Sequence, residues 1–225
     1  MRKKIALIGL LLCTLQANAQ FFSGERLINQ PDIDNKRLSW GYFLGFNSYD
    51  YSFRYKNYNP NPSTGKDLIV NRATGFNVGL IGNLKLSENL DIRLEPGVNF
   101  NNYGIRPTSS GVVEEVNSTY VHIPLLLKFN ANRLNNFRPF VLGGASASIN
   151  LSSNETNPEA RIRTTTINYY YELGVGIDLY FYYFKFSPSL RGLFGLSNEF
   201  ISGTPDMNNV EEMFARGIFL NFTFQ

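Results

Sequence analysis

From residue 38 to the C-terminus apolar side chains fall on every second position, a period that strands satisfy and helices do not. One face of the first run reads Trp40, Tyr42, Leu44 and Phe46, and the other reads Gly41, Phe43, Gly45 and Asn47. Phe76, Val78, Leu80, Leu84 and Leu86 then oppose Asn77, Gly79, Asn83 and Lys85. Leu90, Ile92, Leu94, Pro96, Val98 and Phe100 oppose Asp91, Arg93, Glu95, Gly97, Asn99 and Asn101. The second half repeats the pattern around Val121–Phe129, Ile167–Phe181, Phe184–Leu196 and Ile218–Phe224, while the Gly/Ala-rich run Phe140–Ile149 has ambiguous facing. About eight strands result, an even number of the kind that bacterial membrane barrels use.

The connections discriminate between a soluble sandwich and a membrane barrel. They alternate long and short: 56–73, 87–89, 104–117, 130–137, 152–165, 180–183 and 197–212. Long external loops alternating with short periplasmic turns, with both termini inside, describe an all-β, eight-stranded antiparallel up-and-down transmembrane β-barrel over residues 38–225. The apolar face, including Leu94, Val98, Leu125, Val175 and Leu220, should meet lipid, where a polar group would find no partner. The face rich in Gly, Asn and charge should point inward, into a lumen that eight strands make only wide enough for side chains. Trp40, Tyr42, Tyr169, Phe181, Phe184 and Phe224 lie near strand ends, where aromatic girdles form.

Ahead of this pattern, Arg2, Lys3 and Lys4 precede the apolar run Ile5–Leu15, which closes in Ala17-Asn18-Ala19, the layout of a secretory signal peptide over residues 1–19. Cleavage there leaves the basic side chains equal in number to the 18 acidic ones, so nothing in the charge balance suggests nucleic acid. Cys13 is the only cysteine; Leu10-Leu11-Leu12 before it lacks the small residue of a lipoprotein site. No disulfide, thiolate metal site or Cys nucleophile is then expected after cleavage. Past Leu15 no apolar run approaches the roughly 20 residues of a spanning helix. Residues 20–37 are polar, contain Gln30-Pro31-Asp32-Ile33-Asp34 and read as a periplasmic N-terminal arm.

Nine charges fall on the inward face: Lys85, Asp91, Arg93, Glu95, Lys128, Glu172, Asp178, Lys185 and Arg191. Five positive and four negative groups nearly cancel, which suits a salt-bridged lumen, because isolated buried charge is costly. Arg93 and Arg191 should lie within reach of inward carboxylates. An acid/base pair such as Glu172 with Asp178 has no accompanying nucleophile. His122, the single histidine, has no Gly-x-Ser-x-Gly elbow to serve and no cysteine to share a zinc with. No catalytic, metal or cofactor set is therefore assigned, and no cofactor or small-molecule substrate is expected.

On these residues the chain resembles the PorT/SprT family, outer-membrane barrels associated with type IX protein secretion and gliding motility. The resemblance rests on Asn35-Lys36-Arg37-Leu38 leading into 41–47, on Gly75-Phe76-Asn77-Val78-Gly79, and on Ser118-Thr119-Tyr120-Val121-His122-Ile123-Pro124-Leu125-Leu126-Leu127-Lys128. Arg133-Leu134-Asn135-Asn136-Phe137-Arg138 and Tyr182-Tyr183-Phe184-Lys185-Phe186-Ser187-Pro188 discriminate most. It implies a non-enzymatic component of cargo export whose partners are the lipid bilayer of the outer membrane and other secretion-machinery envelope proteins. The arm is the proposed contact. Two other readings stand beside it: a small barrel enzyme acting on lipid or peptide, and a structural or adhesin barrel.

Overall fold

The computed structural model describes residues 28–56, 68–107, 114–155, 163–201 and 210–225. The signal segment expected over 1–19, residues 20–27 of the expected arm and the central parts of the four long loops lie outside them. Ten strands follow one another: β1 (Leu38–Tyr55), β2 (Leu68–Arg72), β3 (Thr74–Lys85), β4 (Leu90–Leu94), β5 (Gly97–Pro107), β6 (Glu114–Asn130), β7 (Phe137–Asn150), β8 (Ile167–Tyr180), β9 (Lys185–Gly195) and β10 (Val210–Phe224). Two interruptions, at Ala73 and at Glu95-Pro96, divide what are otherwise single staves, so the wall has eight. Pro96 has no N–H to give to a ladder, which explains the second break. All pairings are antiparallel, and β1 pairs with both β10 and β3, which closes the ring.

The outward side chains form the apolar band. Leu94, Leu125, Val175 and Leu220 are all exposed on the outer surface, as are Phe46, Leu173, Leu190 and Ile218. An aqueous surface would not tolerate so continuous an apolar girdle; hydrocarbon requires it. Trp40, Tyr42, Phe181, Phe184 and Phe224 mark the end with short turns, and Tyr42 stacks on Phe224 at 5.2 Å. In β7, Val141 and Ile149 face out while Phe140, Leu142, Ser146 and Ser148 face in, resolving a run whose glycines and alanines carry little polarity signal.

Strands also continue beyond the membrane. The loop anticipated over 56–73 contains β2, paired with the far end of β5, and the one anticipated over 104–117 is largely β5 and β6. The ladder extends because Leu68 and Val70 pack against Tyr49, Tyr51 and Phe53 inside the outer half of the barrel. Inward glycines serve aromatic rings as much as polar chains. A Cβ on Gly176 would come within 2.3 Å of the Phe140 ring, and one on Gly79 or Gly97 within 2.6 or 2.7 Å of the Phe43 ring.

Candidate functional site

The interior is filled in layers. At the end with the short turns, residues 28–37 fold back beneath the barrel instead of extending from it. A single 3-10 turn, Ile33–Asn35, places Asp34 under the mouth. Its carboxylate lies 3.4 Å from Arg138 Nη1, 3.7 Å from Arg133 Nη1 and 4.0 Å from Lys185 Nζ, and accepts a hydrogen bond from Tyr180 Oη at 2.7 Å. Lys85 Nζ donates to the Asp34 carbonyl at 2.7 Å. Asn29 N donates to Asn136 Oδ1 at 2.8 Å, Asn29 Nδ2 to the Tyr180 carbonyl at 2.9 Å, and Arg133 to the Asn29 carbonyl. The Arg133 guanidinium also lies 3.6 Å from the centre of the Tyr180 ring. The Asn-Asn-Phe-Arg turn and the β8–β9 turn therefore form the seat of the arm.

Above this lies the first charge layer. Lys128 Nζ meets Asp178 Oδ2 at 2.5 Å, Ser187 Oγ donates to the other Asp178 oxygen at 2.6 Å, and Lys128 stands 4.2 Å from the centre of the Phe140 ring. Asp91 accepts from Asn130 Nδ2 at 2.8 Å. In the next layer Glu95 joins two arginines, with Arg93 Nη1 at 3.2 Å and Arg191 Nη2 at 2.7 Å, and Arg191 reaches Glu172 at 3.1 Å. Arg93 also donates to Asn83 Oδ1 at 2.7 Å. The nine inward charges thus divide into separate groups: Arg93, Glu95, Glu172 and Arg191; Lys128 and Asp178; and Lys85, Asp91 and Lys185 at the short-turn rim. Asp34, which enters from the arm, meets both rim lysines, Lys185 with its carboxylate and Lys85 with its backbone carbonyl.

His122 bridges Ser148 Oγ at 2.6 Å and Glu172 Oε1 at 2.8 Å, a connectivity reminiscent of a hydrolase triad. Its surroundings oppose that chemistry. The cavity bounded by His122, Glu95, Glu172, Arg191, Phe43 and Phe219 measures about 10 Å³, space for one water and not for an ester or peptide. His122 also stacks on Phe219 at 6.1 Å. The ring is a bridge in a packed network.

The outermost layer is aromatic and apolar: Tyr49, Tyr170, Leu193, Met213 and Phe219 are buried together, with Tyr49 6.1 Å from Tyr120. Glu199, just beyond β9, is buried beside it and accepts from Tyr170 Oη at 2.7 Å; burial pushes its carboxyl up to about 7. Neither Asp34 nor Glu199 stood out in the sequence, since both lie outside runs with a facing to read. Among the described residues, no group of three or more His, Cys, Asp or Glu side chains is placed to hold a metal. Among the described residues, the end with the short turns, where Tyr182 and Tyr183 are 73% and 88% exposed, is open for contact.

Residues 18–201 match the family model of the outer membrane protein beta-barrel domain. Among solved structures, the outer membrane protein OprG of Pseudomonas aeruginosa aligns with a TM-score of 0.51 and 10% identity, over 82% of this chain and 94% of that one. Neisserial surface protein A aligns with a TM-score of 0.46 and 9% identity, over 84% and 98%. At such identities the likeness to OprG concerns the fold alone. No curated protein sequence matches the chain.

Proposed function

Since the chain belongs to the outer membrane protein beta-barrel domain family, and so resides in the outer membrane, we propose that it assists type IX protein secretion as a non-enzymatic barrel acting through contacts with other envelope proteins. The observation that carries this reading is the interior filled by the described residues: paired charges, an aromatic layer and the folded-back arm leave small voids, of about 10 Å³ at the mid-level and about 20 Å³ beside Asp34. A barrel so filled can offer a partner only its surfaces. The resemblance of its Asn-Asn-Phe-Arg turn and Tyr-Phe-Lys-Phe-Ser-Pro strand to the PorT/SprT family supplies the secretion context.

The contact surface is the periplasmic face, made jointly by the arm and the turn Phe181-Tyr182-Tyr183-Phe184. Residues 28–37 serve there as part of the barrel's floor, so the arm does not act as an independent tether in this region. Deleting the gene should empty the secreted protein fraction. Restoring it with Tyr182→Ala/Tyr183→Ala should leave the barrel inserted and heat-modifiable on gels while secretion stays impaired. Full secretion in the deletion strain would refute the role in export, and full secretion with the double variant would move the contact to the external loops.

A further inference from the structure

A cluster of outward charges stands at the loop end of β1, β2 and β10. Asp50 on β1 faces lipid-ward and holds two arginines by the same carboxylate oxygen: Arg72 Nη2 at 2.6 Å, and Arg216 through Nε at 2.9 Å and Nη2 at 2.7 Å. Asp50 is 14% exposed whereas the arginines are 59% and 54% exposed, so the carboxylate sits at the base and the guanidinium groups stand over it. Two cations on one anion leave a net positive charge. The adjacent outward pair, Arg54 with Glu212 at 2.6 Å, is balanced and adds none.

Their height is the second observation. Asp50 lies twelve residues along β1 from Leu38, about 30 Å along the barrel axis at about 3.3 Å per residue and a tilt of about 40°. On the outward face of β1 the apolar side chains end at Phe46 and are followed by Ser48, Asp50, Ser52 and Arg54, while on β10 Ile218 lies one outward position below Arg216 and Phe214 one above it. The guanidinium pair therefore stands where hydrocarbon gives way to headgroups. A trough of about 430 Å³ opens at the pair in the outer surface, lined by Ser48, Asp50, Arg72 and Arg216 at its polar end and by Gly192, Phe194, Gly217 and Ile218 at its apolar end, where Gly192 stands opposite Ile218 in the ladder.

The geometry points to a binding site for a phosphorylated lipid of the outer leaflet, with the phosphate on Arg72 and Arg216 and an acyl chain along the Gly192 trough. Guanidinium forks recognise phosphate by paired charge-assisted hydrogen bonds. Asp50 positions both forks through one oxygen, and the remaining N–H groups of each are available to the ligand. An isolated arginine at this depth would only snorkel toward water; a pair tethered to a half-buried carboxylate at the polar end of a trough whose other end is apolar offers both halves of a lipid a place. The site is independent of the secretion role.

Native mass spectrometry of the folded full-length barrel, released from neutral micelles doped with phosphatidic acid or with diacylglycerol of the same chains, tests it. Phosphatidic acid should be retained and diacylglycerol not. Arg72→Gln/Arg216→Gln should reduce retention about tenfold or more, and Gly192→Leu, which fills the trough but keeps both arginines, should reduce it by about threefold or more. Heat-modifiable gel migration verifies folding; if the double variant does not fold, Gly192→Leu and Arg72→Gln alone decide. Equal retention of the two lipids, or undiminished retention in the variants, would overturn the site. Displacement of phosphatidic acid by an equal concentration of inorganic phosphate would overturn its lipid character and leave a free-anion site.

Discussion

Each charged side chain in this lumen is held by named partners, so single replacements have calculable consequences. Glu95 is the shared counter-ion of Arg93 and Arg191. Glu95→Ala should destabilise the barrel by roughly 3–5 kcal/mol, because one buried guanidinium loses its only ion pair and the other loses one of two. Urea unfolding in micelles measures it, and a loss below about 1 kcal/mol would mean that water screens the layer. Glu199 behaves oppositely. Its carboxyl is raised from the ordinary 4.5 to about 7 by burial, so the fold favours the protonated form. The stability this carries is complete below about pH 4.5 and disappears as pH rises through about 7. Glu199→Gln should therefore match the parent near pH 4 and exceed it near pH 8 by up to about 3 kcal/mol. A difference that is the same at both pH values would contradict the assignment.

At the scale of elements, the arm segment 28–37 is held by side-chain contacts to the turns, with Asp34 at their centre. Asp34→Asn removes the anion facing Arg133, Arg138 and Lys185 and should loosen the segment by about 1–2 kcal/mol, read as roughly tenfold faster tryptic cleavage after Lys36 or Arg37 in the folded barrel. Unchanged cleavage would show that the Asn29 and Arg133 hydrogen bonds hold it alone. No periodicity reveals such docking: Asn29 meets Asn136 and Tyr180 more than a hundred residues away, and polar segments carry no record of their distant partners. The staves were legible for the opposite reason. Lipid outside and packed polar groups inside force a two-residue alternation, and Leu94 against Glu95 states the facing of a strand outright. Where the alternation lacked contrast, as with Gly143, Gly144 and Ala145, only packing around Phe140 decides. The breaks at Ala73 and Pro96 and the extension of β2 and β5 past the membrane were hidden, because stacking of Leu68 on Tyr51 depends on how far the neighbouring strands rise. The Asp50, Arg72 and Arg216 group was hidden too, its members being 22 and 166 residues apart in pairs.

For the whole molecule, the interior packed by the described residues leaves only voids of about 10 and 20 Å³. Liposomes carrying the barrel should not swell in arabinose and should behave like protein-free ones; swelling comparable to a porin would disprove the filled lumen. The ring has a further consequence in its seam. β1 joins β10 over fourteen residue pairs, from Tyr42 with Phe224 to Tyr55 with Val210, and these are the first and last strands of the ring in chain order. Contacts of such sequence separation form late, since the intervening chain must first be gathered. Until then both strands present unpaired edges, the condition that invites association with foreign strands. Birth of this protein is thus all-or-nothing: a chain that lacks its final fifteen residues has no way to conceal its first.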